Sequence, residues 1–323
     1  MFKYSYCSRP AVFIVLLLTI AVTHSTLAEW PSRVFVPYLY LGAGDQLKVT
    51  DCDAACGQKF FTLAFVTADR EKNPAWDGQS SKAKDFYADQ ITAIRKAGGD
   101  ALVSFGGAGG RELALAETDV VALEAKYQTV IDRYQLTWLD FDIEGKSMKN
   151  IEANERRNTA LAHLQSKHRG LRISYTLPVD PGGIPKSGLA ILADAKSKGV
   201  AVFSANVMTM DFDPAASKGK RMSDVSIASA LKSREQCQSI DEKILIGLTP
   251  MIGQNDEKSE VFTQDDARRL VDWATAQPWV CSVSFWAINR DTDIRVTKSS
   301  NIGSGIDQKR WEFTRIFLGL RYE

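Results

Sequence analysis

Short runs rich in β-branched and aromatic residues alternate with longer helical patterns along most of this 323-residue sequence. Eight such runs are candidate strands, at 33–41, 59–67, 101–107, 138–144, 171–177, 202–210, 244–249 and 280–288. Alternating strands and helices favour a parallel sheet with helical crossovers. Eight strand–helix units in about 290 residues match the size and order of a (β/α)₈ barrel. We therefore predict the α/β class, with a single-domain (β/α)₈ TIM barrel spanning 29–323.

The alternative to a barrel is a doubly wound open sheet. Such a sheet usually has fewer strands, and no G-x-G-x-x-G turn follows the first candidate strand. Residues 250–279 separate the seventh and eighth candidate strands, and one helical pattern occupies much of that segment. We therefore expect no α+β insertion there, and a shallow, open groove at that side of the barrel.

Residues 1–28 form a separate segment. Lys3 and Arg9 give it a positive start, an apolar stretch covers 11–22, and small residues at 26–28 offer a cleavage point. This order predicts a secretory signal peptide. The apolar stretch is short for a bilayer span, which disfavours a membrane anchor. We expect a secreted protein, with a periplasmic location as the alternative and no membrane association after cleavage.

The cysteines of the mature chain are even in number. Cys7 falls in the predicted signal peptide, which leaves Cys52, Cys56, Cys237 and Cys281. An even count in an exported protein favours disulfides, and we expect the pairs Cys52–Cys56 and Cys237–Cys281. Their spacing does not suit a zinc site.

The remaining composition excludes several classes of function. A formal net charge of +1 indicates no polyanionic partner, so we expect no nucleic-acid binding. His163 and His168 are the histidines of the mature chain, and both fall in one helical pattern. A Ser/His/Asp triad is therefore not expected. We expect a monomer.

The stretch WLDFDIEG, at 138–145, sets three acids at every second position. On a strand, Asp140, Asp142 and Glu144 share one face, because residues two apart point the same way. Carboxyl groups so close cannot all stay ionised, so at least one pKa should rise. In a barrel these acids point inward, with Glu144 at the carboxyl end where active sites lie. A catalytic or ligand-binding cluster is predicted; a metal site, a solvated edge strand and a structural polar network are the alternatives.

Several motifs resemble those of family 18 glycoside hydrolases, the chitinase family. LDFDIEG is similar to the end of the pattern D-x-x-D-x-D-x-E, with Thr137 in place of the first acid. SFGG (104–107) resembles S-x-G-G, and VMTMD (207–211) resembles M-x-Y-D with Met210 in place of the tyrosine. PAW (74–76), TPMIGQND (249–256) and FWAINRD (285–291) resemble bacterial chitinases in particular.

The resemblance implies a role for each acid in a substrate-assisted, retaining mechanism. Glu144 is the implied general acid and base, Asp142 the implied partner of the substrate acetamido group, and Asp140 the residue that shares a proton with Asp142. No metal and no organic cofactor is implied. The implied substrate is chitin or its oligosaccharides.

The resemblance also implies residues that bind the sugar. Asp211 and Met208 match the sixth-strand motif, whereas Met210 cannot donate the hydrogen bond of the tyrosine it replaces. We expect Tyr175 or Asn206 to supply that donor. The other implied contacts are Trp286 as the floor beneath the sugar, Tyr38 and Trp76 as stacking platforms or packing residues, and Gly106 and Gly107 as points of close backbone approach.

The favoured function is a secreted, endo-acting chitinase. A catalytically inactive chitin- or glycan-binding lectin is the alternative from another class, and Glu144 argues against it because such lectins typically lose this residue. An endo-β-N-acetylglucosaminidase that acts on N-glycan cores, or an enzyme that cleaves peptidoglycan, would keep the fold and the mechanism.

Overall fold

The structure, a computed structural model, describes residues 1–2, 29–42, 47–82 and 84–320. The predicted signal peptide therefore lies, apart from its first two residues, outside the described residues. Among the residues described, no helix combines the length and the apolar character needed to cross a membrane.

A parallel sheet closes on itself at the centre of the fold. The strands of the described chain are β1 (Val34–Phe35), β2 (Tyr38–Tyr40), β3 (Phe60–Ala68), β4 (Pro74–Trp76), β5 (Asp100–Gly106), β6 (Trp138–Asp142), β7 (Arg172–Pro178), β8 (Val202–Met208), β9 (Leu245–Thr249), β10 (Gly253–Gln254), β11 (Val261–Phe262) and β12 (Val280–Val283). The parallel sheet has the order β1-β12-β9-β8-β7-β6-β5-β3-β2. Because β1 pairs with β12 and β2 pairs with β3, these two pieces together form the first barrel strand. The predicted (β/α)₈ barrel is confirmed.

Helices surround the sheet. They are α1 (Val49–Cys56), α2 (Ala88–Lys96), α3 (Leu113–Ala116), α4 (Val120–Tyr134), α5 (Gly145–Met148), α6 (Ile151–Lys167), α7 (Lys186–Ser197), α8 (Pro214–Ser217), α9 (Met222–Ile240), α10 (Gln264–Thr275) and α11 (Glu312–Phe317). A capping box between Thr263 and Asp266 starts α10. Between β9 and β12 the chain forms the antiparallel β10–β11 pair and α10, so the expectation of no α+β insertion there is confirmed.

Alternation on β6 divides its side chains between two layers. Leu139, Phe141 and Ile143 belong to the apolar cluster between sheet and helices, where Phe141 stacks on Phe105 with ring centroids 5.2 Å apart. Trp138 belongs to a smaller cluster that includes Trp30. The acids on the same strand therefore face the barrel interior and its carboxyl-end opening.

The cysteines among the described residues, Cys52, Cys56, Cys237 and Cys281, are free thiols in the structure, so the expected disulfides are not formed in it. Cys52 and Cys56 lie four residues apart on α1, and the Cys56 thiol donates to the Cys52 carbonyl. Cys237 packs in the apolar cluster between sheet and helices, whereas Cys281 lies at a β12 irregularity and donates to the Ile246 carbonyl. An even number of cysteines does not by itself show which thiols lie close enough in the fold to form a disulfide.

Candidate active site

A cleft opens at the carboxyl ends of the barrel strands. Its lining consists of Tyr38, Tyr40, Phe65, Asp77, Gly106, Ala108, Gly109, Asp142, Glu144, Thr176, Met208, Met210, Asp211, Thr249, Met251, Asp256, Trp286 and Asn301. Carboxylic acids are prominent in this lining, and it includes no Lys, Arg or His among the described residues. The cleft is therefore acidic along much of its length.

Asp140 lies below the cleft, buried among hydroxyl groups. Its carboxylate accepts hydrogen bonds from Ser104 (2.7 Å), Ser174 (2.6 Å), Thr176 (2.9 Å) and Tyr38 (3.0 Å). Burial raises the pKa of Asp140, and the four hydroxyl donors oppose that rise. This environment satisfies an ionised carboxylate better than a neutral acid.

Asp142 lies one step higher on the same face of β6 and is also buried. Burial raises its pKa well above the ordinary value, and the charges of Glu144 and Asp140 add to the rise. Its Oδ1 atom is buried and has no hydrogen-bond partner among the described residues. Asp142 therefore holds a proton more readily than its neighbours and keeps one oxygen free for another donor.

Glu144 is partly exposed at the mouth of the cleft, where it occupies the N-cap position of α5. Burial raises the pKa of Glu144, a hydrogen bond with Asp142 opposes that rise, and the charge of Asp211 adds to it. A carboxyl group with a raised pKa keeps its proton to a higher pH than a free one, and at a cleft mouth it can act as a general acid.

Aromatic rings form one wall of the cleft. Trp286 stacks on Phe65 and contacts Tyr38 and Tyr40 at centroid distances of 5.9 and 5.7 Å. Sequence reasoning placed Trp286 and Tyr38 at the site but missed Phe65. Strict alternation assigns Phe65 to the helix side with Phe61 and the other odd-numbered residues of β3. An irregularity in the β3–β5 register, between the pairs formed by residues 64 and 66, turns it toward the cleft instead.

The sixth barrel strand, β8, and the loop after it bring Met208, Met210 and Asp211 to the cleft. The Asp211 Oδ1 atom accepts a hydrogen bond from the Glu257 backbone N–H at 2.8 Å. Burial raises the pKa of Asp211, and the backbone hydrogen bond to Glu257 opposes this. These are the residues of the M-x-Y-D-like motif.

Neither residue expected to compensate for Met210 reaches the cleft. The Tyr175 hydroxyl donates to Asn158 on α6, in the layer between sheet and helices, so the expectation for Tyr175 is wrong. Asn206 lies lower in the barrel, where it donates to Thr176 at 2.9 Å and accepts from Thr249 at 2.9 Å. Neither Tyr175 nor Asn206 therefore supplies the hydrogen bond of the tyrosine that Met210 replaces.

Trp76 does not form a sugar platform. It is 1% exposed, and its indole N–H donates to the Tyr134 hydroxyl of α4 at 2.9 Å, so it is a packing residue. The two glycines differ as well. Gly106 lines the cleft at a φ of +100°, and a Cβ there would lie 2.1 Å from the Asp142 carbonyl oxygen. A Cβ on Gly107 would meet the Phe65 ring at 2.7 Å, so Gly107 makes room for the aromatic wall.

A closed (β/α)₈ barrel with stacked carboxyl groups at one strand end and an aromatic wall beside them defines a site of the glycoside hydrolase class. A scan against protein-family models finds no match. The catalytic domain of a hyperthermophilic chitinase from Pyrococcus furiosus matches with a TM-score of 0.82 and 32% identity over 91% of this chain and 96% of that domain. Mutants of that domain have been crystallised with chito-oligosaccharides.

Two curated relatives are similar in sequence. A "probable bifunctional chitinase/lysozyme" of Escherichia coli is 33% identical over 282 residues, and endochitinase 11 of Metarhizium anisopliae is 33% identical over 285 residues. The matches cover 81% and 83% of this chain, but only 31% and 54% of those relatives. The chain thus spans from about a third to about half of their length. It belongs to family 18 of the glycoside hydrolases.

Proposed function

We propose that this protein is an endo-acting chitinase that hydrolyses β-1,4 bonds between N-acetylglucosamine units with retention of anomeric configuration. The observation that carries the proposal is the vertical series of Asp140, Asp142 and Glu144 on one face of β6, at the floor and mouth of a cleft. Each acid has a different environment, so each can hold a proton under different conditions.

The first step uses all three acids. Glu144 donates its proton to the glycosidic oxygen while the acetamido oxygen of the sugar attacks the anomeric carbon, which forms an oxazolinium ion and releases the alcohol. Asp142 is hydrogen-bonded to Glu144 and stabilises the carboxylate that Glu144 becomes, while four hydroxyl donors stabilise the negative charge of Asp140 below them. Asp142 Oδ1, which has no partner among the described residues, accepts the acetamido N–H. This contact orients the attacking oxygen and stabilises the positive charge.

The second step restores the acids. Ionised Glu144 takes a proton from a water molecule, whose oxygen attacks the anomeric carbon and opens the oxazolinium ring. The two displacements at one carbon give net retention. The charge of Asp211 raises the pKa of Glu144, which favours transfer of the water proton to Glu144 in this second step.

An open groove supports endo cleavage. Residues 250–279 add only a short β-pair and one helix beside the cleft, so a polymer can lie across it without threading through a tunnel. The name of the Metarhizium relative, an endochitinase, agrees with this mode of action. The pattern of residues 1–28 supports secretion, and the mass of exported protein tests it: cleavage before Glu29 is the expected result.

The direct test incubates protein that begins at Glu29 with N-acetylglucosamine hexamer, beside its Glu144→Gln variant. Mass spectrometry and anomer-resolving chromatography should find β-anomeric dimers to tetramers from the wild type and none from the variant. Binding of the hexamer without cleavage by either protein would instead indicate the lectin.

Two other substrates, peptidoglycan and N-glycan cores, are compatible with the same fold and mechanism. The "lysozyme" in the name of the Escherichia coli relative suggests peptidoglycan, but the carboxylates of the peptide stems of that polymer would meet an acidic cleft. Chitin is uncharged and avoids this repulsion. Turnover of peptidoglycan or of N-glycan cores faster than that of the hexamer would overturn the assignment of chitin.

A further inference from the structure

Asp211 has an uncommon backbone conformation, one that Asp adopts more readily than most residues with a side chain. Its φ is +51°, in the left-handed region that residues with a side chain rarely occupy. Asp211 lies shortly after the end of β8, in the loop that lines the cleft. Contacts from outside its own segment must hold this conformation, because a short exposed loop would otherwise relax to a more favourable one.

Glu260 provides such a contact from the segment between β10 and β11. Its Oε1 atom accepts the Phe212 backbone N–H at 3.0 Å, one residue after Asp211. Glu260 is 1% exposed, which is rare for a carboxylate. The other oxygen, Oε2, is buried without a hydrogen-bond partner among the described residues. Glu260 thus gives up hydration for few protein contacts, which are the Ser217 hydroxyl of α8 and the backbone at Phe212 and Asp211.

The same segment also holds the Asp211 side chain. Glu257 donates its backbone N–H to Asp211 Oδ1 at 2.8 Å, and Glu260 donates its own backbone N–H to the Glu257 carbonyl at 3.0 Å. The Glu260 carbonyl also accepts from the Asn255 N–H at 3.1 Å. Two hydrogen bonds therefore join the loops. The Glu260 carboxylate accepts the backbone N–H of Phe212, and the Asp211 carboxylate accepts the backbone N–H of Glu257.

We propose that Glu260 is a positioning residue for Asp211, which fixes both the backbone and the carboxyl group of Asp211 at the cleft wall. The inference rests on the proposed function, because the charge of Asp211 acts there on Glu144. Glu260 itself does not line the cleft, so its effect on catalysis passes through Asp211. Burial raises the pKa of Glu260, in agreement with a carboxyl group kept from water for a structural contact.

A double-mutant cycle separates positioning from general stability. The variants are Glu260→Leu, Asp211→Ala and the double variant, with Glu260→Gln as the matched control because its amide oxygen can still accept the Phe212 N–H. Hexamer kinetics should show kcat/KM lowered at least about tenfold by Glu260→Leu and less than about threefold by Glu260→Gln. Residues that act as one unit are not additive, so Glu260→Leu should cost less than about twofold in the Asp211→Ala background.

Equal losses in both backgrounds, or full activity of Glu260→Leu, would overturn the inference. If Glu260→Leu does not fold, as judged by thermal unfolding, Glu260→Asp replaces it, because the carboxylate keeps its charge but loses the reach of one methylene. The same cycle measured as hexamer affinity in the Glu144→Gln background does not depend on turnover. A wild type that binds the hexamer without cleaving it would overturn the proposed function alone, and the affinity cycle would still decide the role of Glu260.

Discussion

The indole of Trp286 stacks on the ring of Phe65, with centroids 5.5 Å apart and ring planes only 13° from parallel. The two residues come from opposite ends of the described chain, one just after β12 and one within β3. A stacked neighbour fixes the plane of Trp286, and a sugar face that packs on the indole requires a fixed plane. Phe65 therefore fixes the orientation of the Trp286 indole without having to contact the substrate itself.

Replacing Phe65 by leucine should loosen this wall. Aromatic pairs contribute about 0.5–1.5 kcal/mol beyond area burial, so we expect KM for the hexamer to rise about two- to tenfold with a smaller change in kcat. Phe61→Leu, on the same strand but packed against the helices, is the matched control: it should lower Tm and leave KM unchanged. An unchanged KM for Phe65→Leu would show that Trp286 keeps its orientation alone.

Two tyrosines test the hydroxyl shell of Asp140. Tyr38→Phe removes one donor from the buried carboxylate, and a hydrogen bond to a charged group contributes about 1.5–3 kcal/mol, so kcat should fall roughly ten- to a hundredfold. Tyr175→Phe removes the hydroxyl that binds Asn158 outside the barrel, so it should lower Tm and leave kcat unchanged. A loss of kcat in both variants would mean that the hydroxyls act through stability and not through Asp140.

The raised pKa of Asp142 predicts how stability depends on pH. A carboxyl group with a pKa higher in the folded than in the unfolded protein stabilises the fold below the unfolded pKa, near 4, and this contribution is lost as the pH rises through the folded pKa. Asp142→Asn removes this dependence. The Tm of the wild type relative to that of Asp142→Asn should therefore fall as the pH is raised from 4, and a constant difference would contradict the prediction.

A buried ion pair behind the cleft predicts a large loss of stability. Arg157 on α6 donates to Glu112 at 3.0 Å, and both side chains are almost fully buried. Arg157→Met leaves the buried carboxylate without an opposite charge and should cost about 3–5 kcal/mol of unfolding free energy. Arg269→Met breaks an exposed pair with Asp224 and should cost at most about 1 kcal/mol. Urea unfolding measures both, and similar losses in the two variants would contradict the argument.

The sequence predicted those parts of the site in which strands are regular. Along β6 the alternation is unbroken, so the inward face of Asp140 and Asp142 follows from the residue pattern alone. Phe65 was missed because a register irregularity reverses its side, and no residue type marks that irregularity. Tyr175 was misplaced for a different reason: it pairs with Phe141, a helix-facing residue, and this register depends on how two strands align.

The sequence did not predict the contacts that Trp76 and Glu260 make. Trp76 lies on β4, which pairs antiparallel with β3 and directs the indole toward Tyr134 of α4. Glu260 is far from Asp211 along the chain, and only the packed loops bring them together. Contacts of this kind depend on distances in the folded chain, which residue patterns do not encode.

Thr137, where the family pattern has its first acid, accepts the indole N–H of Trp30 at 3.0 Å. Trp30 packs edge-on against Trp138 at the amino end of the strand, so the partner of Thr137 lies at the opposite end of β6 from the cleft. Residues 30 and 137 therefore form a packing pair that is separated from the carboxyl groups at the cleft by the length of the strand. A change at residue 137 reaches the chemistry only through the fold.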